Sequence, residues 1–156
     1  MTNLQSPDRH LLERWLEDIH VENYLCGECE GLHINAVHAL EGVANSRIYL
    51  ERDILSFSTA LIVRPTALLP LAADLGRLNM DYPTLKIFLD VVDDATPQLV
   101  ASAHMLTGSR ITPDQFATFV ITTLDGTRML AEECLQLNYL FTDIDELEAL
   151  GSRSLH

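Results

Sequence analysis

Positive charge is scarce in this chain. Ten lysines and arginines stand against 23 aspartates and glutamates, so the formal net charge is −13 at pH 7. Such a surface repels the phosphate backbone of nucleic acids and anionic lipid head groups, and the few cationic residues form no run. The composition therefore disfavours direct binding to nucleic acid or to a membrane surface.

Long apolar stretches are missing as well. The longest, ALLPLAADL, is interrupted by Pro70 and falls well short of the about 20 residues that span a bilayer. The N-terminal sequence MTNLQSPDRHLLERW has no charged lead followed by an apolar stretch, so it does not match a secretory signal peptide. We expect a soluble, cytoplasmic protein.

Common catalytic motifs are absent. The six histidines are scattered, and the sequence contains no HExxH, GxSxG, GxxxxGKS/T or GxGxxG. Asp93 and Asp94 in DVVDD lead into ATPQ, which is typical of a turn; a cation or acid–base site is the alternative. We therefore predict no enzyme, with no catalytic residues, no cofactor-binding residues, no cofactor and no metal.

Cysteine is rare. Three cysteines, an odd number, argue against a disulfide framework and for reduced thiols. Cys134, in LAEECLQL, is most simply a small buried residue of a helix. The other two, Cys26 and Cys29, form the motif CGEC, and His33 follows four residues later. This thiol pair is the candidate site of the sequence, with three interpretations: a structural turn, a metal site or a redox pair.

The structural turn is the interpretation that the spacing favours. If NYLC and GLHI are strands joined by the tight loop Gly27 and Glu28, Gly27 takes a positive φ and the two cysteines face each other across the loop. A structural zinc site normally has four ligands in two separated pairs, whereas here only His33 and His38 follow closely. Metal binding stays open as an alternative.

A redox function requires a cysteine thiolate with a lowered pKa. The neighbouring carboxylates of Glu28 and Glu30 are expected to raise the pKa of the thiols. This expectation disfavours a redox pair without removing it.

The rest of the sequence predicts an α+β fold. Apolar stripes at helical spacing lie in SPDRHLLERWLEDIH, in VRPTALLPLAADLGRLN, and after a capping box formed by Thr112 and Gln115. β-type runs near 23–26, 31–34, 44–50, 54–63, 84–92 and 98–106 are separated by turn residues. We predict an antiparallel sheet of five or six strands packed with about three helices in a single domain over 1–142, followed by an acidic, flexible tail over 143–156.

Three blocks carry a resemblance to a known family. VRPTALLPLAADLGRLN, TLKIFLDVVDD and ITPDQFATFV together resemble the YbjN family of bacterial regulators, including its AmyR type. The resemblance extends from the helix around Trp15 to about Leu140. It implies a fold like that of class I type III secretion chaperones, an α+β fold with a five-stranded antiparallel sheet. It also implies a non-enzymatic cytoplasmic regulator that acts negatively on exopolysaccharide, motility and virulence or stress traits. It supplies no catalytic residues.

The resemblance also implies that the function rests on a protein partner, which the sequence does not identify. Chaperones of this architecture hold extended partner segments through apolar patches and strand edges. By the same analogy a homodimer is compatible with the sequence, which shows no diagnostic interface. Two alternatives stay open: a type III secretion chaperone that binds an effector, and a CxxC thiol-redox or zinc sensor.

Arg64 is expected to form a helix-flanking salt bridge, with a buried or partner-facing charge as its alternative.

Overall fold

The computed structural model describes residues 3–93 and 95–153. Within these ranges five α-helices and six strands alternate along the chain. The helices are α1 (Arg9–Asp18), α2 (Asn35–His38), α3 (Leu68–Asp81), α4 (Pro113–Gln136) and α5 (Asp143–Arg153), and a 3-10 turn, Pro65–Ala67, precedes α3. The strands are β1 (Asn23–Tyr24), β2 (Leu32–Ile34), β3 (Val43–Glu51), β4 (Ile54–Ile62), β5 (Lys86–Asp90) and β6 (Gln98–Leu106).

All six strands form one antiparallel sheet in the order β1-β2-β3-β4-β6-β5. The predicted α+β class and the antiparallel sheet are confirmed. The number of five strands, which the family resemblance implies, is wrong, because the short runs NYLC and GLHI contribute β1 and β2 as separate strands. The estimate of about three helices is also too low, since one helical turn follows β2 and another helix begins at Asp143.

Local sequence signals explain where the two longest helices begin. The side chain of Thr112 accepts a hydrogen bond from the Gln115 backbone N–H at 3.1 Å, and the Gln115 side chain accepts one from the Thr112 backbone N–H at 2.9 Å. This confirms the predicted capping box. Pro70 lies in the first turn of α3, where a backbone N–H has no acceptor within the helix. The proline therefore removes no helical hydrogen bond.

The hydrophobic core lies on one face of the sheet and divides into two clusters. The first joins α1 and α2 with β2, β3, the start of β4 and the first half of α4. The second joins α3, β5 and β6 with the end of β4 and the second half of α4. Along β4, Thr59 stands between Phe57 of the first cluster and Leu61 of the second. Cys134 is fully buried in the second cluster, as predicted.

Residues predicted as an acidic tail begin with α5, whose first turn contacts the domain. Arg64 Nη1 lies 2.9 Å from Asp145 Oδ1, and Arg64 Nε donates to the Leu140 carbonyl at 2.9 Å. The expected salt bridge of Arg64 is confirmed, with its partner on α5. Of the predicted DVVDD turn, Asp93 is exposed in a turn, whereas Asp94 lies outside the described residues.

Candidate functional site

The sheet has a second face, opposite the core. Side chains alternate between the two faces along each strand, and cross-strand partners share a face, so the strand register assigns every residue. The buried apolar side chains of α1 to α4 all belong to the two core clusters. We call the opposite surface the open face; it is defined by Arg47, Tyr49, Ser56, Ser58, Lys86, Phe88, Ser102 and His104.

Serines and one imidazole form the middle of the open face, and paired cations and aromatic rings form its two flanks. On β3, the Arg47 guanidinium lies 5.0 Å from the centre of the Tyr49 ring. On β5, the Lys86 ammonium lies 5.3 Å from the centre of the Phe88 ring. Between them, the exposed His104 ring is hydrogen-bonded to two buried serines, with Nδ1 2.9 Å from Ser56 Oγ and Nε2 3.2 Å from Ser102 Oγ. The result is a shallow trough with serines and this imidazole in its middle and flat rings at its sides.

The two flanking cations are free to bind a negative group. Within the described ranges, neither Arg47 nor Lys86 has a carboxylate within salt-bridge distance. Lys86 is also the single lysine of a chain with a net charge of −13. The register assigns two carboxylates, Glu51 of β3 and Asp90 of β5, to the same face, so the open face carries charges of both signs.

One end of the open face is apolar. Ile54 and Leu106 are opposite each other in the register of β4 and β6, and they are 42% and 79% exposed. Together with Tyr49 they place a cluster of large apolar side chains in solvent. Exposed apolar side chains next to free charges are typical of surfaces that bind other proteins.

The β5 edge of the sheet is blocked. The Asn79 side chain, from α3, accepts a hydrogen bond from the Ile87 N–H and donates one to the Ile87 carbonyl, both at 3.0 Å. These are the groups that an added strand would use. A partner is therefore better accommodated on the open face than along this edge.

The CGEC motif lies in the loop between β1 and β2. Tyr24 pairs with His33 in the register, so the loop spans residues 25–31. The predicted two-residue turn is wrong, because β1 already ends at Tyr24 and β2 begins only at Leu32. Gly27 does have the predicted positive φ, +81°.

The loop brings Cys26, Cys29 and His33 together. The two sulfur atoms are 3.4 Å apart, and Cys29 Sγ lies 3.3 Å from His33 Nε2. All three potential ligand atoms lie within 4.8 Å of one another. The thiol pair identified in the sequence is thus joined by the histidine that follows it.

The backbone around Cys26 favours its thiolate. The Glu28 backbone N–H is the main cause of a pKa lowered to about 7 for Cys26, with the Cys29 thiol and backbone N–H adding to the effect. The expectation that the carboxylates of Glu28 and Glu30 would raise this pKa is wrong, since both side chains are exposed and N–H groups at the sulfur dominate. Cys134 behaves in the opposite way, because burial raises its pKa to about 12.

His33 is buried, with 7% of its surface exposed. Its ring stacks on Tyr24, with ring centres 5.0 Å apart and planes at 17°. Its Nδ1 has no hydrogen-bond partner among the residues that the structure describes. His38 meets the edge of the Tyr24 ring at 6.5 Å instead and does not belong to the group of three ligand atoms.

The sequence prediction missed the open face. A signal was present, because SRIYL and KIFLD each place a cation and an aromatic residue two positions apart, which is the spacing of one strand face. It did not show that the two pairs share a face.

Among the described residues, no helix is long and apolar enough to cross a membrane.

Comparison with known proteins identifies the family to which the chain belongs. The family profile named YbjN, described as "Putative bacterial sensory transduction regulator", matches residues 8–136. The Escherichia coli (strain K12) protein YbjN is 35% identical over 146 residues, which cover 94% of this chain and 92% of that protein. This chain therefore belongs to the YbjN family.

Solved structures agree with this assignment. The crystal structure of YbjN from E. coli, titled "a putative transcription regulator", has a TM-score of 0.86 at 34% identity and covers 90% of this chain and 99% of that chain. A chain of the ExsC–ExsE complex has a TM-score of 0.47 at 16% identity, covering 84% of this chain and 92% of that one. This likeness is too distant to support an argument about fold or partners, so the resemblance to secretion chaperones stays a prediction.

Proposed function

We propose that this YbjN-family chain is a non-enzymatic regulator that binds a protein partner on its open face. The observation that carries the proposal is the pair of cations, Arg47 and Lys86, each stacked on an aromatic ring at a flank of the trough. His104, in the middle of the trough, has both ring nitrogens within hydrogen-bond distance of serine hydroxyls, Ser56 and Ser102. Among the described residues no carboxylate lies within salt-bridge distance of this ring.

The chemistry of the face indicates the kind of partner segment. The strands β3 and β5 flank the trough and are three strand spacings apart, about 14 Å. A single extended segment fits between the flanks. Because Arg47 and Lys86 both face it, the segment should carry carboxylates near its middle and apolar side chains toward Ile54 and Leu106.

The physiological role follows from the family resemblance. We propose that the protein works in the cytoplasm as a negative regulator of exopolysaccharide production, of the AmyR type, and of motility and virulence or stress traits. Binding of a regulatory protein would connect the open face to these traits. A homodimer is compatible with this role, provided that the open face stays accessible.

The test is affinity capture with matched charge-reversal variants. The double variant Arg47→Glu and Lys86→Glu changes the open face, whereas Arg14→Glu and Arg128→Glu makes the same change of charge at exposed positions of α1 and α4. A partner captured by the unchanged protein after brief cross-linking should be lost with the first variant and kept with the second. With the purified partner, we expect a loss of affinity of at least about tenfold.

The same variants should be compared in cells. The open-face variant should release the repression of exopolysaccharide while the helix-side variant should keep it. If both variants capture the same partner equally well, the open face is not the binding surface. If the open-face variant keeps full regulation at normal abundance, binding at this surface does not produce the function.

A further inference from the structure

We infer that Cys26, Cys29 and His33 form a zinc-binding site, with Cys26 Sγ, Cys29 Sγ and His33 Nε2 as the protein ligands. The site is built from the loop 25–31 and the first residues of β2. It does not depend on the proposed binding of a protein partner, and it can be tested without one.

The distances suit a tetrahedral ion. With Zn–S bonds of about 2.3 Å and Zn–N bonds of about 2.0 Å, neighbouring ligand atoms in a tetrahedron are about 3.5–3.8 Å apart. The observed separations are 3.4 Å between the sulfurs and 3.3 Å between Cys29 Sγ and His33 Nε2. A disulfide would need a separation of about 2.05 Å. Two of the three separations are therefore close to the tetrahedral values, and the third, between Cys26 Sγ and His33 Nε2, is within 4.8 Å.

The loop also places the two sulfur ligands. The positive φ of Gly27 lets the chain turn between the cysteines, and the turn brings their sulfur atoms to 3.4 Å. Two thiolates and one imidazole balance the charge of a divalent ion and are soft ligands that favour zinc over magnesium or calcium.

A packing role alone does not explain the orientation of the His33 ring. A buried histidine normally satisfies both ring nitrogens with hydrogen bonds. Here Nδ1 has no partner among the described residues, and Nε2 is directed to the cysteine sulfur. Stacking on Tyr24 holds the ring in this orientation. The contact of Nε2 with the sulfur therefore places the imidazole for a metal ion, whereas Nδ1 lacks a partner among the described residues with or without the ion.

Three protein ligands leave a fourth position. Cys26 is exposed, so this position is open to solvent and we assign it to a water molecule. Sites of three protein ligands and one water are well known for zinc. His38 is not in the ligand group and serves as an internal control.

The experiment measures metal binding to the reduced, metal-free full-length protein. Co²⁺ replaces Zn²⁺ in such sites and reports thiolate ligands through sulfur-to-cobalt charge-transfer bands and tetrahedral geometry through its visible spectrum. Zn²⁺ affinity is then measured by competition with a chromophoric chelator. We expect one ion per chain, and protection of Cys26 and Cys29 from alkylation when zinc is bound.

Four variants decide the assignment. Cys26→Ser removes an exposed ligand with little effect on folding, and His33→Gln removes the buried one; each should weaken zinc binding by more than about tenfold, since loss of an outer-shell partner alone costs about 10–100-fold. His38→Gln and Cys134→Ser should leave the affinity unchanged.

Three outcomes would overturn the site: a cobalt complex without thiolate charge transfer, no zinc bound by the reduced protein, or unchanged zinc affinity in His33→Gln. The third outcome would leave a thiol pair alone, and rapid formation of a Cys26–Cys29 disulfide by mild oxidant would then favour the redox alternative. Thermal unfolding of each variant identifies any that fails to fold. If His33→Gln fails to fold, the zinc affinity of Cys26→Ser tests the site instead.

Discussion

At the scale of single residues, two buried threonines differ in whether the side-chain hydroxyl has a hydrogen-bond partner. Thr59 Oγ1 lies 2.9 Å from Ser46 Oγ, its cross-strand partner, so the two hydroxyls satisfy each other. Thr127, on α4, is fully buried, and its Oγ1 has no hydrogen-bond partner within the described ranges. A buried hydroxyl without a partner costs about 1–3 kcal/mol.

Replacing the unpartnered threonine should stabilise the protein. We expect Thr127→Val to raise the free energy of unfolding by about 1 kcal/mol, because the methyl group fills the same space without an unsatisfied hydroxyl. Thr59→Val should lower it by about 1–3 kcal/mol, since Ser46 then loses its partner. Urea denaturation of both variants measures the difference. A destabilised Thr127→Val would show that this hydroxyl has a partner after all.

Residue-level prediction from the sequence succeeded where neighbours in the chain are neighbours in space. Cys26, Cys29 and His33 were identified together because a short loop cannot separate them widely. The lowered pKa of Cys26 could not be predicted, because it depends on the direction of two backbone N–H groups. The missing partner of Thr127 was equally invisible, since it depends on the packing of distant elements.

At the scale of elements, one side chain adds a polar link between α3 and β5 to their packing in the second core cluster. Asn79 makes hydrogen bonds to both the N–H and the carbonyl of Ile87, and its amide also donates to the Leu75 carbonyl. The edge strand is thereby covered by a helix side chain instead of being left to solvent. Natural sheets protect their edges in this manner against self-association.

We expect Asn79→Ala to have two effects. The free energy of unfolding should fall by about 1–3 kcal/mol, because the Ile87 backbone groups lose their partners. The uncovered edge should also promote association that increases with protein concentration, which light scattering coupled to size exclusion measures. Met80→Ala is the matched control, because Met80 lies next to Asn79 in α3 and is 81% exposed; it should show neither effect. Equal behaviour of the two variants would contradict this role.

Elements were predictable where local signals are strong. Thr112 and Gln115 fix the start of α4 through side-chain contacts within four residues. The two-residue strand β1 has little identity of its own and exists through its pairing with β2. The count of five strands was therefore wrong at this end of the sheet, where tertiary pairing decides the assignment.

At the scale of the whole molecule, a network centred on Arg77 joins α3 to α4. Its guanidinium lies 2.7 Å from Asp74 and 2.8 Å from both Asp81 and Glu133. The hydrogen bond from Arg77 holds the pKa of Asp74 below its usual value of 3.8. The Tyr82 hydroxyl, then Arg77, hold the pKa of Glu133 below its usual value of 4.5. Both carboxylates are thus stabilised in their charged form.

These lowered pKa values predict acid sensitivity. A carboxylate whose pKa is lower in the folded state contributes stability that is fully present above its ordinary pKa, here above about pH 4.5, and that is lost as the pH falls toward the folded-state value. We expect the unfolding free energy to decline below about pH 4.5, and the decline to be smaller in Arg77→Met, which lacks the central cation. Chemical denaturation between about pH 6 and pH 3 tests this; equal declines in both proteins would exclude the network as the cause.

The class of the molecule was visible in its composition and patterns, but its open face was not. Each strand shows alternation, and that alternation gives two faces without saying how faces of distant strands combine. Arg47 and Lys86 share a surface only because β4 and β6 lie between β3 and β5 in the correct register. This arrangement is a property of the whole sheet.

The position of β6 between β4 and β5 has a consequence for the order in which a ribosome delivers the chain. Residues 86–90 emerge before residues 98–106, the strand with which they pair in the sheet. During that interval the partner strand of β5 has not been made, whereas α3, which carries the Asn79 amide that binds Ile87 in the folded protein, has already been synthesised. The edge strand of this sheet therefore precedes its inner neighbour in synthesis.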